Sequence, residues 1–199
     1  MSAFARNTTC LLEGLADPAQ VEAWFEFDSR YRPVVHAFAR RLGLKEADAE
    51  DVAQETLTRF LSSYRAGRYD HTRGRLSTWI VSIARHCVLD LHRLHAERRG
   101  WRGESALLDL ADEGSLIVLW DEECRRRIMD LAMRDLREGT RFDERTIRAF
   151  ELVAFEEKPP ADVAELLAMS VDSVYTAKNR CLTYLREAVT RLHLLYEVA

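Results

Sequence analysis

From Pro18 onward, apolar residues recur at spacings of three and four: Val21, Trp24, Phe25, Tyr31, Val34, Val35, Phe38 and Leu42. Such spacing places them on one face of a helix. Asp17-Pro18 predicts its cap and first turn, Gly43 its stop, and Pro33 a kink or a join between two helices. Residues 1–17 show no strong period and are expected to be loose. A second helix is predicted from about Glu46 to Tyr64, with Ala49, Val52, Thr56, Phe60 and Ser63 on one side. Its other side carries Asp51, Gln54, Glu55, Thr58 and Ser62, which periodicity alone reads as a solvated face.

Residues 67–74 read as a loop. A third helix follows over Ser77–His95, with Ile80, Ile83, Ala84, Cys87, Leu91 and Leu94 inward and Ser82, Arg85, His92 and Arg93 outward. Helical spacing resumes at Asp121 and stops at Gly139, returns over Asp143–Phe155, and is broken by Lys158-Pro159-Pro160. Two more helices are predicted over Ala161–Ala168 and Val171–Leu195, the latter capped by Ser170. No segment alternates with period two, so the predicted fold class is all-α: two small helical domains joined by an acidic linker.

Charge changes this picture more than composition does. The chain has 199 residues, is 47% hydrophobic and carries a formal charge of −4, values that suit folded domains but would argue against nucleic acid were the charge evenly spread. It is segregated. Between Ala66 and Gly103, Arg68, Arg73, Arg75, Arg85, Arg93, Arg98, Arg99 and Arg102 face only Asp70, Asp90 and Glu97, a net +5. His71, His86, His92 and His95 fall in the same stretch. Arginines and aromatic rings together suit a phosphate backbone and unstacked bases, because cations displace condensed counterions and flat rings stack on base faces. Glu104–Glu123, by contrast, holds seven acids and no Lys or Arg. Its leucines, Ile117, Val118 and Trp120 make it more than an inert spacer.

Asp162–Arg180 has the layout of a helix-turn-helix. Val163, Ala164, Leu167, Met169 and Val174 supply the apolar contacts between its helices, and Val174, Ala177, Cys181 and Leu185 give the second helix an inward face. Tyr175, Thr176, Asn179, Arg180 and Thr183 share the outer face. Asn and Arg can contact base edges, Thr a thymine methyl, and Lys178 or Arg186 a phosphate. The alternative for this stretch is an ordinary α-hairpin with a polar outer surface.

Three stretches together resemble a sigma factor of bacterial RNA polymerase, of the extracytoplasmic-function group. Asp48-Ala49-Glu50-Asp51-Val52-Ala53-Gln54-Glu55 is similar to that family's core-binding helix. Gly74-Arg75-Leu76-Ser77-Thr78-Trp79-Ile80, with Ile83-Ala84-Arg85, resembles its promoter-melting segment. Asp162-Val163-Ala164-Glu165, Ser170-Val171, Val174 and Arg180 resemble its C-terminal helix-turn-helix.

The resemblance covers about residues 20 to 190. It implies a region 2-like domain over 18–102, an acidic linker over 103–122 and a region 4-like helix-turn-helix domain over 123–195. It also implies docking on the clamp helices and flap of core RNA polymerase, with Asp51, Gln54, Glu55, Thr58 and Leu61 at the clamp contact. Arg68, His71, Arg73, Arg75, Ser77, Thr78, Trp79 and Arg85 would bind the melted −10 element; Trp79 reads equally as a core or a base-stacking ring. Tyr175, Thr176, Lys178, Asn179 and Arg180 would read the −35 element in duplex form. An anti-sigma factor is a candidate partner. The sequence departs from the family at Ala168, where Gly is usual, at Arg137 after Leu136, where Pro is common, and at Tyr175, Ala177 and Asn179.

The remaining chemistry excludes other classes. Cys10, Cys87, Cys124 and Cys181 form no CxxC pair and read as reduced thiols, with Cys87 and Cys181 in the core. His86, Cys87, His92 and His95 lack a converging ligand set, so neither metal nor cofactor is expected. No phosphate-binding Gly-rich loop or nucleophile motif is present, and an enzyme is not expected. With no leader pattern and no apolar run near ~18 residues, a cytoplasmic bacterial protein is expected, with no further domain after Arg191. The principal rival is a stand-alone helix-turn-helix regulator, which would leave the polar helix around Asp51 without a role.

Overall fold

The computed structural model describes residues 6–70, 72, 74–99 and 112–196. These form helices α1 (Thr8–Ala16), α2 (Val21–Arg41), α3 (Glu46–Arg65), α4 (Leu76–Arg99), α5 (Glu113–Glu138), α6 (Glu144–Ala154), α7 (Pro160–Leu166) and α8 (Val171–Tyr196). No strand occurs among the described residues, so the fold is all-α. None of these helices is long and apolar enough to cross a membrane.

The chain divides into two compact units. Residues 6–127 with 195–196 form one, and residues 128–194 the other. In the first, α3 lies against both α2 and α4. Its Ala53, Leu57 and Phe60 are fully buried among Phe27, Tyr31, Val34, Leu76 and Ile80. A second cluster joins Ala39, Leu44, Ala49, Val52, Cys87, Val88 and Leu89 at the other end of the same helices. Gly43 follows α2 with φ of +89°, a backbone state that glycine adopts without steric cost and that turns the chain into α3.

Three elements differ from the sequence expectation. Residues 8–16, expected to be loose, form α1, whose Asn7 side chain accepts from the Cys10 amide at 2.8 Å. Leu11, Leu12 and Leu15 bury in the first core, a face too short to register as a period. No join occurs at Pro33: α2 runs through it as one helix. The bond lost there would have used the carbonyl of Ser29, an exposed residue whose oxygen water can satisfy. Finally, α5 begins at Glu113 rather than Asp121, since Leu116 and Trp120 bury in the first core with Trp120 edge-on to Phe38 at 6.0 Å. The expected linker residues 103–111 lie outside the described residues.

A buried charge organises the first unit. The Arg30 side chain is fully buried and donates to Glu26 at 3.0 Å, to the Arg6 carbonyl at 2.7 Å and to the Leu195 carbonyl at 2.6 Å. A guanidinium taken out of water is tolerated because acceptors surround it.

The second unit has two smaller cores. Ala132, Leu136, Phe150, Cys181, Leu185 and Ala188 fill one, and Ala149, Leu152, Val163, Ala164, Val174 and Ala177 the other. α7 is followed by a short turn and then by α8. The turn is closed by Met169 N–H to the Ala164 carbonyl at 2.8 Å. Ser170 caps α8 by accepting from the Ser173 amide at 3.1 Å. Ala168 sits in that turn with φ of +48°, where its Cβ crowds the backbone.

Two stability outcomes follow from this packing. Ala168→Gly should stabilise the second unit by about 0.5–1 kcal/mol in chemical denaturation, since the strain relieved exceeds the added chain entropy; a destabilised variant would contradict the left-handed assignment. Trp120→Ala should cost the first unit about 3–5 kcal/mol, as for other buried tryptophans. A loss under 1 kcal/mol would show that the start of α5 is not part of that core.

Candidate functional site

Burial of the apolar side of α3 sets the direction of its polar side. Asp51, Gln54, Glu55 and Thr58 are all exposed, while Ala49, Val52, Ala53, Thr56, Leu57 and Phe60 are buried. Leu61, expected on the same docking face, is instead half-buried and packs against the first core. Its position one helical step after Phe60 places only an edge at the surface. The face is also braced in a way that residue spacing does not reveal. Arg59 donates to Glu55 at 2.6 Å and to Asp90 of α4 at 3.1 Å, tying α3 to α4 beside the candidate residues. The Thr58 hydroxyl donates back to the Gln54 carbonyl at 2.9 Å.

The loop between α3 and α4 leaves α3 through Gly67, whose φ is +69°. Arg68 and Arg75 are exposed at its two ends, and Ser77, Thr78, Trp79 and Arg85 are half-buried along the start of α4. His71 and Arg73 lie outside the described residues. At the centre of the loop, Asp70 accepts from the Thr72 amide at 2.9 Å and its hydroxyl at 2.6 Å, a local turn that needs no help from the core.

Trp79 belongs to an aromatic stack. Its ring lies parallel to Tyr69 at 5.0 Å and 16°, and edge-on to Phe60 at 5.0 Å and 63°. Phe60 in turn stacks on Phe27 at 4.7 Å. The loop is thereby fastened through Tyr69 and Trp79 to the same phenylalanines that hold α3 to α2. Burial pushes the phenols of Tyr69 and Tyr64 up.

Among the described residues, no three His, Cys, Asp or Glu side chains group so as to hold a metal ion. His86 Nδ1 lies 2.6 Å from the Ser82 carbonyl and His95 Nε2 3.8 Å from Asp48, whereas Cys87 is buried with Val52 and Val88. Burial pushes the Cys87 thiol up, that of Cys181 up to about 11 and that of Cys124 up to about 12. The thiolate that nucleophilic or ligand chemistry needs is disfavoured at all three.

On α8, the buried line of Val174, Ala177, Cys181, Leu185 and Ala188 leaves Tyr175, Thr176 and Asn179 exposed on the far side. Lys178 is half-buried at its flank. Arg180 is exposed, with its guanidinium over the Phe142 ring at 4.7 Å from the centroid. Phe142 was not among the expected residues. It lies 38 positions earlier in the chain, and no periodicity connects a loop ring to a later helix.

Residues 27–99 match the family model of sigma-70 region 2. They span α2 from Phe27 onward and the whole of α3 and α4, the helices that carry the polar face and the arginine-bearing loop. The chain therefore contains a region 2 domain, which supports a sigma-70 family sigma factor acting in promoter-specific transcription initiation. No curated protein matches the chain.

Trp79→Ala should lower the stability of the first unit by about 3 kcal/mol, in line with loss of a stacked, half-buried ring. Urea denaturation followed by circular dichroism measures it. A neutral substitution would mean the ring is held for ligands rather than for the fold.

Proposed function

We propose that this protein is a sigma factor of the extracytoplasmic-function group, which binds core RNA polymerase and directs it to specific promoters. The observation that carries the reading is the coincidence of the region 2 match with one bundle. In that bundle Asp51, Gln54, Glu55 and Thr58 of α3 and Arg68 and Arg75 at the ends of the loop are exposed, while Ala53, Leu57 and Phe60 are buried.

In this reading Asp51, Gln54, Glu55 and Thr58, with the exposed edge of Leu61, contact the polymerase clamp. The Arg59 link to Glu55 and Asp90 keeps α3 and α4 in fixed relation while they are gripped. Arg68, Arg73, Arg75 and Arg85 neutralise the backbone of the strand extruded at the −10 element, His71 adds a hydrogen-bond donor, and Ser77 and Thr78 supply hydroxyls to a flipped base. Opening a duplex costs stacking and pairing energy, which cations and a base pocket offset. Trp79, engaged on both Tyr69 and Phe60, serves as the wall behind that pocket. α8 reads the −35 element through Tyr175, Thr176 and Asn179, with Lys178 and Arg180 at its flanks. The domain layout of 18–102, 103–122 and 123–195 belongs to the same proposal, as do the flap contact and a role for an anti-sigma factor. A stand-alone regulator accounts for α8 but gives the α3 face no partner.

The test is association. Mixed with core RNA polymerase and separated by size, the protein should elute as a 1:1 complex. Asp51→Ala with Gln54→Ala should weaken that association by at least about tenfold, the scale of a lost interface hot spot, without changing helicity or melting. Unchanged association of the double variant would remove α3 as the docking face, and no complex at all would remove the proposal.

A further inference from the structure

The leading turns of α8 have an unusual chemistry for a surface assigned to duplex DNA. With Val174 and Ala177 buried, a helix of about 3.6 residues per turn aims Asp172, Tyr175, Thr176 and Asn179 directly outward, and all four are exposed. None of the four is a cation. Lys178 lies at the edge of the buried line, and Arg180 is drawn sideways over Phe142 at 4.7 Å. Tyr175 is 49% exposed and Val171, at the flank, 41%, so apolar surface stands where a groove-reading helix first meets base edges.

We propose that this face reads an A·T-rich upstream box, with Asn179 on an adenine edge and Thr176 and Tyr175 against thymine methyl groups. The inference rests on the proposed assignment of α8 as the duplex reader and adds the class of base it takes. In the major groove guanine presents two acceptors, which Arg or Lys donors satisfy, and no such donor stands on the outward line over the leading turns, Val171 to Asn179; the exposed Arg186 shares that line only about two turns further along α8. Adenine presents one acceptor and one donor, which match the carboxamide of Asn179. Thymine adds a methyl group that a Thr methyl and a Tyr ring can cover. Asp172 accepts hydrogen bonds only, so it suits an exocyclic amino group, whether of adenine or of cytosine, and admits a C·G pair at one edge of the box. The nearby cations then serve the backbone: stacking on Phe142 holds Arg180 at the rim, where a phosphate rather than a base would lie.

The experiment selects bound sequences from a pool of random duplexes with the full chain, in one arm with core polymerase and in the other alone. The box bound should be A·T-rich in both arms. Replacing its thymines by deoxyuridine removes only the C5 methyl groups, and should weaken binding by about fourfold per covered methyl. Thr176→Ser should lose part of that sensitivity, and Asn179→Ala should lose about tenfold in affinity together with the preference at one A·T pair. Both residues are exposed, and unchanged circular dichroism would verify that the variants remain folded. Selection of a G·C box, indifference to deoxyuridine, or no selection in either arm overturns the inference. An A·T box obtained equally with and without polymerase, and with no complex between the two proteins, would retire the sigma-factor reading while leaving the base assignment standing.

Discussion

The first unit depends on one packing constraint: the apolar side of α3 must be covered by α2 and α4 at once. Phe60 is the pivot, stacked on Phe27 at 4.7 Å and met edge-on by Trp79 at 5.0 Å. Apolar burial of this kind is the principal force holding small helical domains together. Because Leu57 and Phe60 have no freedom to turn outward, Asp51, Gln54, Glu55 and Thr58 have none to turn inward. The polar face is a geometric consequence of the core. The same stack continues to Tyr69, so the loop with its arginines is anchored by the contacts that orient α3.

The second unit follows a similar logic at smaller scale. Val174 and Ala177 pack with Val163, Ala164 and Leu152, which fixes the rotation of α8 about its own axis. That rotation decides which residues are presented, and the turn at Ala168 is strained to achieve it. The φ of +48° is a state that glycine would adopt without steric cost.

Residue spacing made the helical class and most helix limits readable, because α2, α3, α4 and α8 each repeat an apolar face over five or more turns. The exposed side of α3 was legible for the same reason. What escaped was short or distant. α1 has three leucines and no room for a period, and the first turns of α5 were masked by their acidity although Leu116 and Trp120 are buried. Leu61 was placed on a polar face by position, whereas its side chain turns partly into the core. Ties between elements, such as Arg59 to Asp90, Arg180 to Phe142 and Arg30 to the Leu195 carbonyl, join residues 31, 38 and 165 positions apart. No local pattern encodes them.

In the proposed function one bundle grips polymerase and opens DNA while a second helical unit selects the address. Transcript 5′ ends mapped after incubating core RNA polymerase, free of other sigma factors, with this protein and a library of genomic fragments test it most directly. The account predicts a small set of discrete start sites that appear only when the protein is added and that share a common upstream box. Start sites that are the same with and without the protein would contradict it.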